Sequence, residues 1–304
     1  MNFWGDEQFS FFESILFQAL GQSVQVIEAQ FLSGGNVNMT AQVFSSEGVF
    51  FVKWSHNGHY TTPEPDGMAY PAPFEAEARG LDLLRQTDVL LIPQVIGYGE
   101  HSGKSYLILE YIDTGKPGPG YWEALGRALA ELHSHTQPLF GLATDNYIGS
   151  LFQRNTPTAN GYDFFFEQRL LPQAGMALYK GLLSKPTYDS LLRLRTHLPS
   201  LIPTDRPALL HGDLWSGNVL VTEAGTPALI DPAVYYGFRE AELAFTKLFG
   251  GFDQRFYDVY DEAFPLELGF DERVALYNLY PLLVHVNLFG SGYVSGVERI
   301  LKGF

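Results

Sequence analysis

The run His211-Gly212-Asp213-Leu214-Trp215-Ser216-Gly217-Asn218, followed after a strand, a turn and a strand by Ile230-Asp231-Pro232, holds the side chains that phosphoryl transfer requires. A carboxylate beside an acceptor hydroxyl can take its proton, and oxygen ligands can hold Mg²⁺. Asp213, Asn218 and Asp231 supply these chemistries in the expected order. The step from Asp213 to Asn218 equals the Asp-to-Asn step of the kinase catalytic loop H-R-D-x-x-x-x-N. A lone His-Gly-Asp would be a polar turn, with Asp231 capping whatever follows it. The asparagine at the right offset and the second aspartate after an apolar strand weigh against that reading.

The flanking residues predict how the three meet. Leu209-Leu210 enters the loop and Val219-Leu220-Val221 leaves it. Thr222 to Thr226 reads as a turn, and Ala228-Leu229-Ile230 as a returning strand. An antiparallel hairpin brings the residue before its first strand beside the residue after its second, so Asn218 and Asp231 are predicted to share one hard cation.

A second group of residues suits nucleotide phosphates. Leu32-Ser33-Gly34-Gly35-Asn36-Val37-Asn38 lies between two β-type runs, Val24 to Ile27 and Ala41 to Phe44. Gly34, Gly35 and Asn36 can offer exposed N–H groups to phosphate oxygens, although a plain hairpin turn would use the same residues. Lys53 is read as ending the apolar strand that begins at Val49. The helical stretch Phe74 to Leu84 then brings Glu75 and Glu77. A strand lysine held by a helix glutamate is the kinase grip on the α and β phosphates, and Glu77 is preferred to Glu75 by its position relative to Leu81 and Leu84. The strand Tyr106 to Ile112 leaves backbone groups from Glu110 to Ile112 for an adenine edge. Residues 54 to 73 form a long connection, read as a flap, whose His56 and His59 lack a third ligand and are read as loop surface.

With 304 residues, 46% hydrophobic and 15% aromatic, the chain can bury a sizeable core. It contains no cysteine, which excludes disulfides, thiolate metal sites and thiol nucleophiles. A formal charge of −15 argues against a nucleic-acid partner, because neutralising phosphates needs a basic stripe. No apolar run reaches membrane-spanning length, and the start of the chain lacks the basic residues of a signal peptide. The expectation is a soluble cytoplasmic protein with no membrane or nucleic-acid partner.

Periodicity adds helices at Asp6 to Leu20, Tyr121 to His135, Tyr188 to Leu198, Glu240 to Phe249 and Arg273 to Asn287. His133 and His135 are read as capping or packing residues. The glycine- and proline-rich Gly115 to Gly120 marks a boundary. The predicted fold class is α+β, protein-kinase-like and two-lobed: a small β-rich N-lobe over 1–114 that binds ATP, and a larger, mostly helical C-lobe over 115–304.

These motifs, with Asp231-Pro232-Ala233, Tyr235-Tyr236-Gly237, Leu248 to Phe252, Asn287 to Tyr293, Asp145 to Gly149 and Gln168 to Gln173, resemble the fructosamine kinase (ketosamine kinase) family. That family lies within the aminoglycoside phosphotransferase and choline kinase superfamily. The resemblance spans nearly the whole chain. It implies ATP- and Mg²⁺-dependent phosphorylation of a ketosamine sugar hydroxyl, at carbon three in the better-known members, associated with protein deglycation. By the same resemblance Asp213 is the base, Asn218 and Asp231 hold magnesium, and Lys53 with Glu77 positions ATP. Trp215 borders the acceptor pocket, with His285, Asn287 and Tyr293 as further substrate contacts, and Glu242 supports the catalytic loop. Two alternatives stay open: a superfamily kinase for an aminoglycoside or choline-like amine, and a nucleotide-binding scaffold without activity.

Overall fold

The computed structural model describes residues 6–32, 38–56 and 70–304. The Gly34-Gly35-Asn36 candidate, His59 and most of the connection read as a flap lie outside the described residues.

Helix α1 (Asp6–Leu20) buries Phe12, Ile15 and Leu16 against a five-stranded antiparallel sheet. The strands are β1 (Val26–Phe31), β2 (Met39–Ser45), β3 (Gly48–His56), β4 (Val95–His101) and β5 (Lys104–Glu110), in the order β1-β2-β3-β5-β4. Period-two alternation gives β3 two working faces. Phe50, Val52 and Trp54 join the α1 cluster, with Trp54 edge-on to Phe12 at 5.4 Å. Phe51 and Lys53 point the other way, toward helix α2 (Pro73–Arg85).

Lys53 does not end its strand, as the sequence suggested. Pairing with β5 continues to His56↔Lys104, so Lys53 sits mid-strand with backbone bonds on both sides. The first strand also differs, starting at Val26 rather than Val24 because its register is set by β2 down to Phe31↔Ala41.

Beyond β5 the chain becomes largely helical, beginning with α3 (Tyr121–Ser134). The hairpin β6 (Asn146–Ile148) and β7 (Leu151–Gln153) follows. Then come α4 (Gly161–Phe164), a π-helical turn over Phe165–Leu170, α5 (Leu171–Tyr179), α6 (Lys185–Leu194) and α7 (Leu198–Leu201). The four strands that carry the loop are β8 (Ala208–Leu210), β9 (Val219–Val221), β10 (Pro227–Leu229) and β11 (Tyr235–Gly237). Helices α8 (Arg239–Leu248), α9 (Gln254–Ala263), α10 (Phe270–Tyr277), α11 (Leu279–Phe289) and α12 (Val294–Leu301) complete the chain. One apolar core runs from α2 and β5 through α3 to α11 and α12.

Two helices depart from the sequence-based bounds by more than one residue at an end. The stretch Arg273 to Asn287 is two helices meeting at Asn278, because Pro281 has no N–H to donate to Tyr277. Asn278 fills the break by donating from Nδ2 to the Ala244 carbonyl at 2.9 Å. The helix read from Tyr188 begins earlier, at Lys185, where the Ser184 hydroxyl accepts from the Thr187 N–H and Pro186 sits in the first turn.

Candidate active site

The loop that carries Asp213 is held at both ends. β8 enters it and pairs with β11, which leaves the Asp231 segment, through Leu210↔Tyr235. β9 and β10 form the hairpin between them, paired through Val219↔Leu229. Two cross-links close the frame: the Ile230 N–H donates to Asn218 O at 3.1 Å, and the Ala233 N–H to His211 O at 2.9 Å. Asp213 and Asp231 therefore lie on two antiparallel straps of one small β unit.

Both straps carry unusual backbone. Gly212 has φ +85°, and a Cβ there would fall 2.0 Å from the Ala233 carbonyl oxygen. Gly212→Ala is expected to destabilise the fold by about 3 kcal/mol or more, from the left-handed backbone and the clash together; a thermal melt checks it. Asp231 has φ +55°, costly for a residue with a side chain, and aims its carboxylate at Lys53 instead of along the strand.

Glu242, on the first turn of α8, anchors the loop from inside the core. Its Oε2 accepts from the His211 N–H at 3.1 Å and its Oε1 from the Gly212 N–H at 2.7 Å. His133 Nε2 lies 2.9 Å from Oε2, and the other ring nitrogen meets the Tyr260 hydroxyl at 2.8 Å. Burial alone would raise the Glu242 carboxyl, but the contact with His133 and the loop N–H groups outweigh it and hold the group below its ordinary value. Glu242→Gln turns one acceptor oxygen into a donor facing N–H groups. It is expected to cost about 2–4 kcal/mol and to lower turnover with it, as urea unfolding and steady-state rates will show.

His211 is fully buried, and burial lowers its pKa. Its Nε2 lies 2.8 Å from the Ile230 carbonyl, which can only accept, so Nε2 carries the proton and Nδ1 receives the Asp213 N–H at 3.3 Å. The imidazole is thus a neutral clamp between the two straps.

On the sheet side, Lys53 Nζ lies 2.9 Å from Glu77 Oε1 and 2.8 Å from Asp231 Oδ1. Glu75 instead pairs along its own helix with Arg79 at 2.6 Å. Burial opposes the Lys53 charge, but Asp231 and Glu77 override it and hold the ammonium above its ordinary range. One side chain thus links β3, α2 and the strap after β10. No sequence pattern announces the Lys53–Asp231 contact, which spans 178 residues.

Asp213 is half-buried. Its carboxyl is pushed up to about 7, first by burial and then by the Asp231 charge, while the Asn218 amide pulls it down. Asn218 Nδ2 donates to the Asp213 carbonyl at 2.8 Å and to its Oδ2 at 3.1 Å. An amide that donates toward Asp213 turns its Oδ1 the other way. That oxygen and the Asp231 carboxylate are hard donors suited to Mg²⁺, an ion that keeps several non-protein ligands. Among the described residues no group of three or more His, Asp or Glu side chains could hold a metal. A cation here would draw its remaining ligands from phosphate oxygens and water.

The other candidates divide. Trp215 is 40% exposed, with its indole lying over Gly217. His285 and Tyr293 pack ring to ring at 5.0 Å. Asn287 is buried on the opposite side of α11, where its Nδ2 bonds Gln173 and the Leu283 carbonyl, so the structure gives that amide a packing role. Glu110 is likewise occupied: its carboxylate and its N–H both bond Gln94 backbone. Two residues on, among the described residues, the Ile112 N–H bonds no acceptor. His133, read as capping or packing, bonds a loop-supporting carboxylate, and helix-end position alone gave no signal of it.

The sequence profile described as fructosamine kinase matches residues 9–304. A probable ketoamine kinase from Enterococcus faecium is 38% identical over 273 residues, covering 89% of this chain and 93% of that protein. The chloroplastic protein-ribulosamine 3-kinase of Arabidopsis thaliana is 35% identical over 295 residues, covering 93% and 84%. A crystal structure from Haemophilus somnus, provisionally named a fructosamine-3-kinase, superposes with a TM-score of 0.85 at 27% identity over 96% of both chains. Spectinomycin phosphotransferase APH(9)-Ia, in complex with ADP and spectinomycin, matches with a TM-score of 0.58 at 14% identity over 97% and 93%, a likeness of fold. The architecture is therefore the α+β kinase-like fold, and no helix among the described residues is long and apolar enough to cross a membrane. The chain, a small-molecule phosphotransferase, belongs to the fructosamine kinase family.

Proposed function

We propose that this protein transfers the γ-phosphoryl group of ATP to a hydroxyl of a ketosamine, a sugar–amine adduct such as a fructosamine or ribulosamine, and so serves protein deglycation. The observation that carries the proposal is Lys53 held between Glu77 and Asp231 opposite Asp213. Residues 1–114 would form the ATP lobe and 115–304 the catalytic and acceptor lobe.

Phosphoryl transfer asks the protein mainly for position and charge. Lys53, fixed by Glu77, meets the α and β phosphates as a point charge. The Ile112 N–H, which bonds no acceptor among the described residues, offers a donor to the adenine edge. Bound Mg²⁺, held by Asp231 and Asn218, would neutralise charge on the β and γ phosphates. Asp213 aligns the acceptor hydroxyl and takes its proton as the new oxygen–phosphorus bond forms and the bond to ADP breaks. Trp215, whose N–H bonds the Asp213 carbonyl at 3.2 Å, would form one wall for the sugar.

The test is ATP consumption with Mg²⁺ on fructose- and ribulose-modified lysine, beside choline and an aminoglycoside. Turnover on a ketosamine is expected. Turnover confined to choline or the aminoglycoside would move the protein to another acceptor class, and none at all would favour a nucleotide-binding scaffold.

A further inference from the structure

Four rings meet where α11 ends beside the turn after α8. The His285 ring centre lies 4.8 Å from Phe249, 5.3 Å from Phe289 and 5.0 Å from Tyr293. Phe249 and Phe289 are nonetheless 44% and 47% exposed. Leaving half of two phenyl rings in water forgoes apolar burial, so a face of this kind suits a ligand that covers it.

The cluster lies against the catalytic loop. A Cβ on Gly251, two residues after Phe249, would fall 2.7 Å from Ser216 Cβ. Ser216 follows Trp215 directly. On the other flank, Leu288 of α11 would meet a Cβ on Gly149, at the tip of the β6–β7 hairpin, at 3.0 Å. These contacts seat the Phe249 side of the cluster beside the catalytic loop and the α11 side beside that hairpin.

The chemistry of the cluster is specific. His285 Nδ1 lies 2.7 Å from the Pro281 carbonyl, which can only accept, so Nδ1 carries the proton and Nε2 is left as a lone-pair acceptor. Burial lowers the His285 pKa and so keeps the ring neutral. Aromatic faces carry the negative side of a quadrupole and attract cations. Among the described residues, Lys180 is the lysine bonded to α11, and it reaches the helix through the Asn287 carbonyl on the α5 side. An acceptor nitrogen among aromatic faces fits a cation that also carries N–H groups, which is to say an alkylammonium. A ketosamine has such a group, its secondary ammonium, on the carbon next to its carbonyl.

We propose that Phe249, Phe289 and Nε2 of His285 form the amine subsite of the acceptor cleft, taking the ketosamine's secondary ammonium by cation–π contact and one N–H···N hydrogen bond. The subsite rests on the ketosamine reading above. It would explain selection of sugar–amine adducts over the free sugar, because fructose presents no cation there.

The test compares wild type with the double variant Phe249→Leu/Phe289→Leu and the double variant Phe249→Tyr/Phe289→Tyr. Each is assayed on a fructosyl alkylamine and on its ether isostere, in which oxygen replaces the N–H. The leucine pair is expected to lose roughly 5- to 30-fold in kcat/KM on the amine, mostly through KM. On the ether it should stay within about twofold of wild type, and the tyrosine pair should track wild type on both acceptors. Equal losses on amine and ether would overturn the subsite and leave an apolar wall, and so would no loss on either. Wild type inactive on the amine would sink the ketosamine reading and the subsite with it, so the two failures are distinguishable. Circular dichroism and melting of both pairs check that each variant folds.

Discussion

Asp213→Asn is expected to lower turnover by roughly 10²–10⁴-fold while making the folded chain more stable above pH 7. The first effect is the loss of the proton acceptor. The second follows from the same burial that shapes the site. The Asp213 carboxyl is pushed up to about 7 from an ordinary 3.8. Between those values the folded chain holds the proton more tightly than the unfolded chain, so stability falls as pH rises and the penalty is complete above about 7. Asparagine removes the charge and keeps an oxygen for the Asn218 amide. The gain is on the order of 2–4 kcal/mol at pH 8 and shrinks to less than half at pH 5. Urea unfolding of both proteins at the two pH values reads it directly. A gap that does not change with pH would show that Asp213 is not held in this environment.

Lys53→Met is expected to abolish detectable transfer and to cost roughly 3–5 kcal/mol of stability, because it strands two carboxylates. Glu77 is nearly enclosed, with its side chain 14% exposed, whereas Asp231 at 41% keeps contact with water. Most of the cost therefore falls on Glu77. The double variant Lys53→Met/Glu77→Leu removes the stranded charge together with its partner. It should recover most of the stability and none of the activity. Recovery of both would mean that the lysine serves only to neutralise its neighbours. A single variant as stable as wild type would show that the pair is solvated in solution.

The loop chemistry was the most legible part of the sequence, because its contacts are local. The Asp213-to-Asn218 step fits one turn, in which the Asn218 amide reaches back to the Asp213 carbonyl and carboxylate. The hairpin after it follows from two short apolar runs around a turn, and the structure pairs them as Val219–Val221 with Pro227–Leu229. Glu77 is set apart from Glu75 by helix geometry: two residues apart on a helix means different faces, and Glu75 is left to pair with Arg79 one turn on.

What the sequence hid is non-local or depends on backbone. The β8–β11 pair joins two three-residue strands separated by the whole hairpin, too short for a periodic signal. His133 and Glu242 meet across 109 residues, so a helix-end histidine carried no sign of its partner. Asn287 lies two residues from His285 on α11 and so faces away from it, toward Gln173. Between residues 136 and 187 the chain holds a π-helical turn around the buried Arg169, which stacks 3.9 Å over Tyr235. Helical periodicity is blind to that change of pitch.

In the proposed reaction phosphate arrives on the sugar of a ketosamine. Phosphorus NMR of the product formed from ATP and ribulose- or fructose-modified lysine tests it most directly. A new phosphomonoester signal coupled to the proton on carbon three of the sugar is expected, absent with Asp213→Asn. ATP turned over to ADP and free phosphate with no sugar ester formed, or an ester found only on choline or an aminoglycoside, would contradict it.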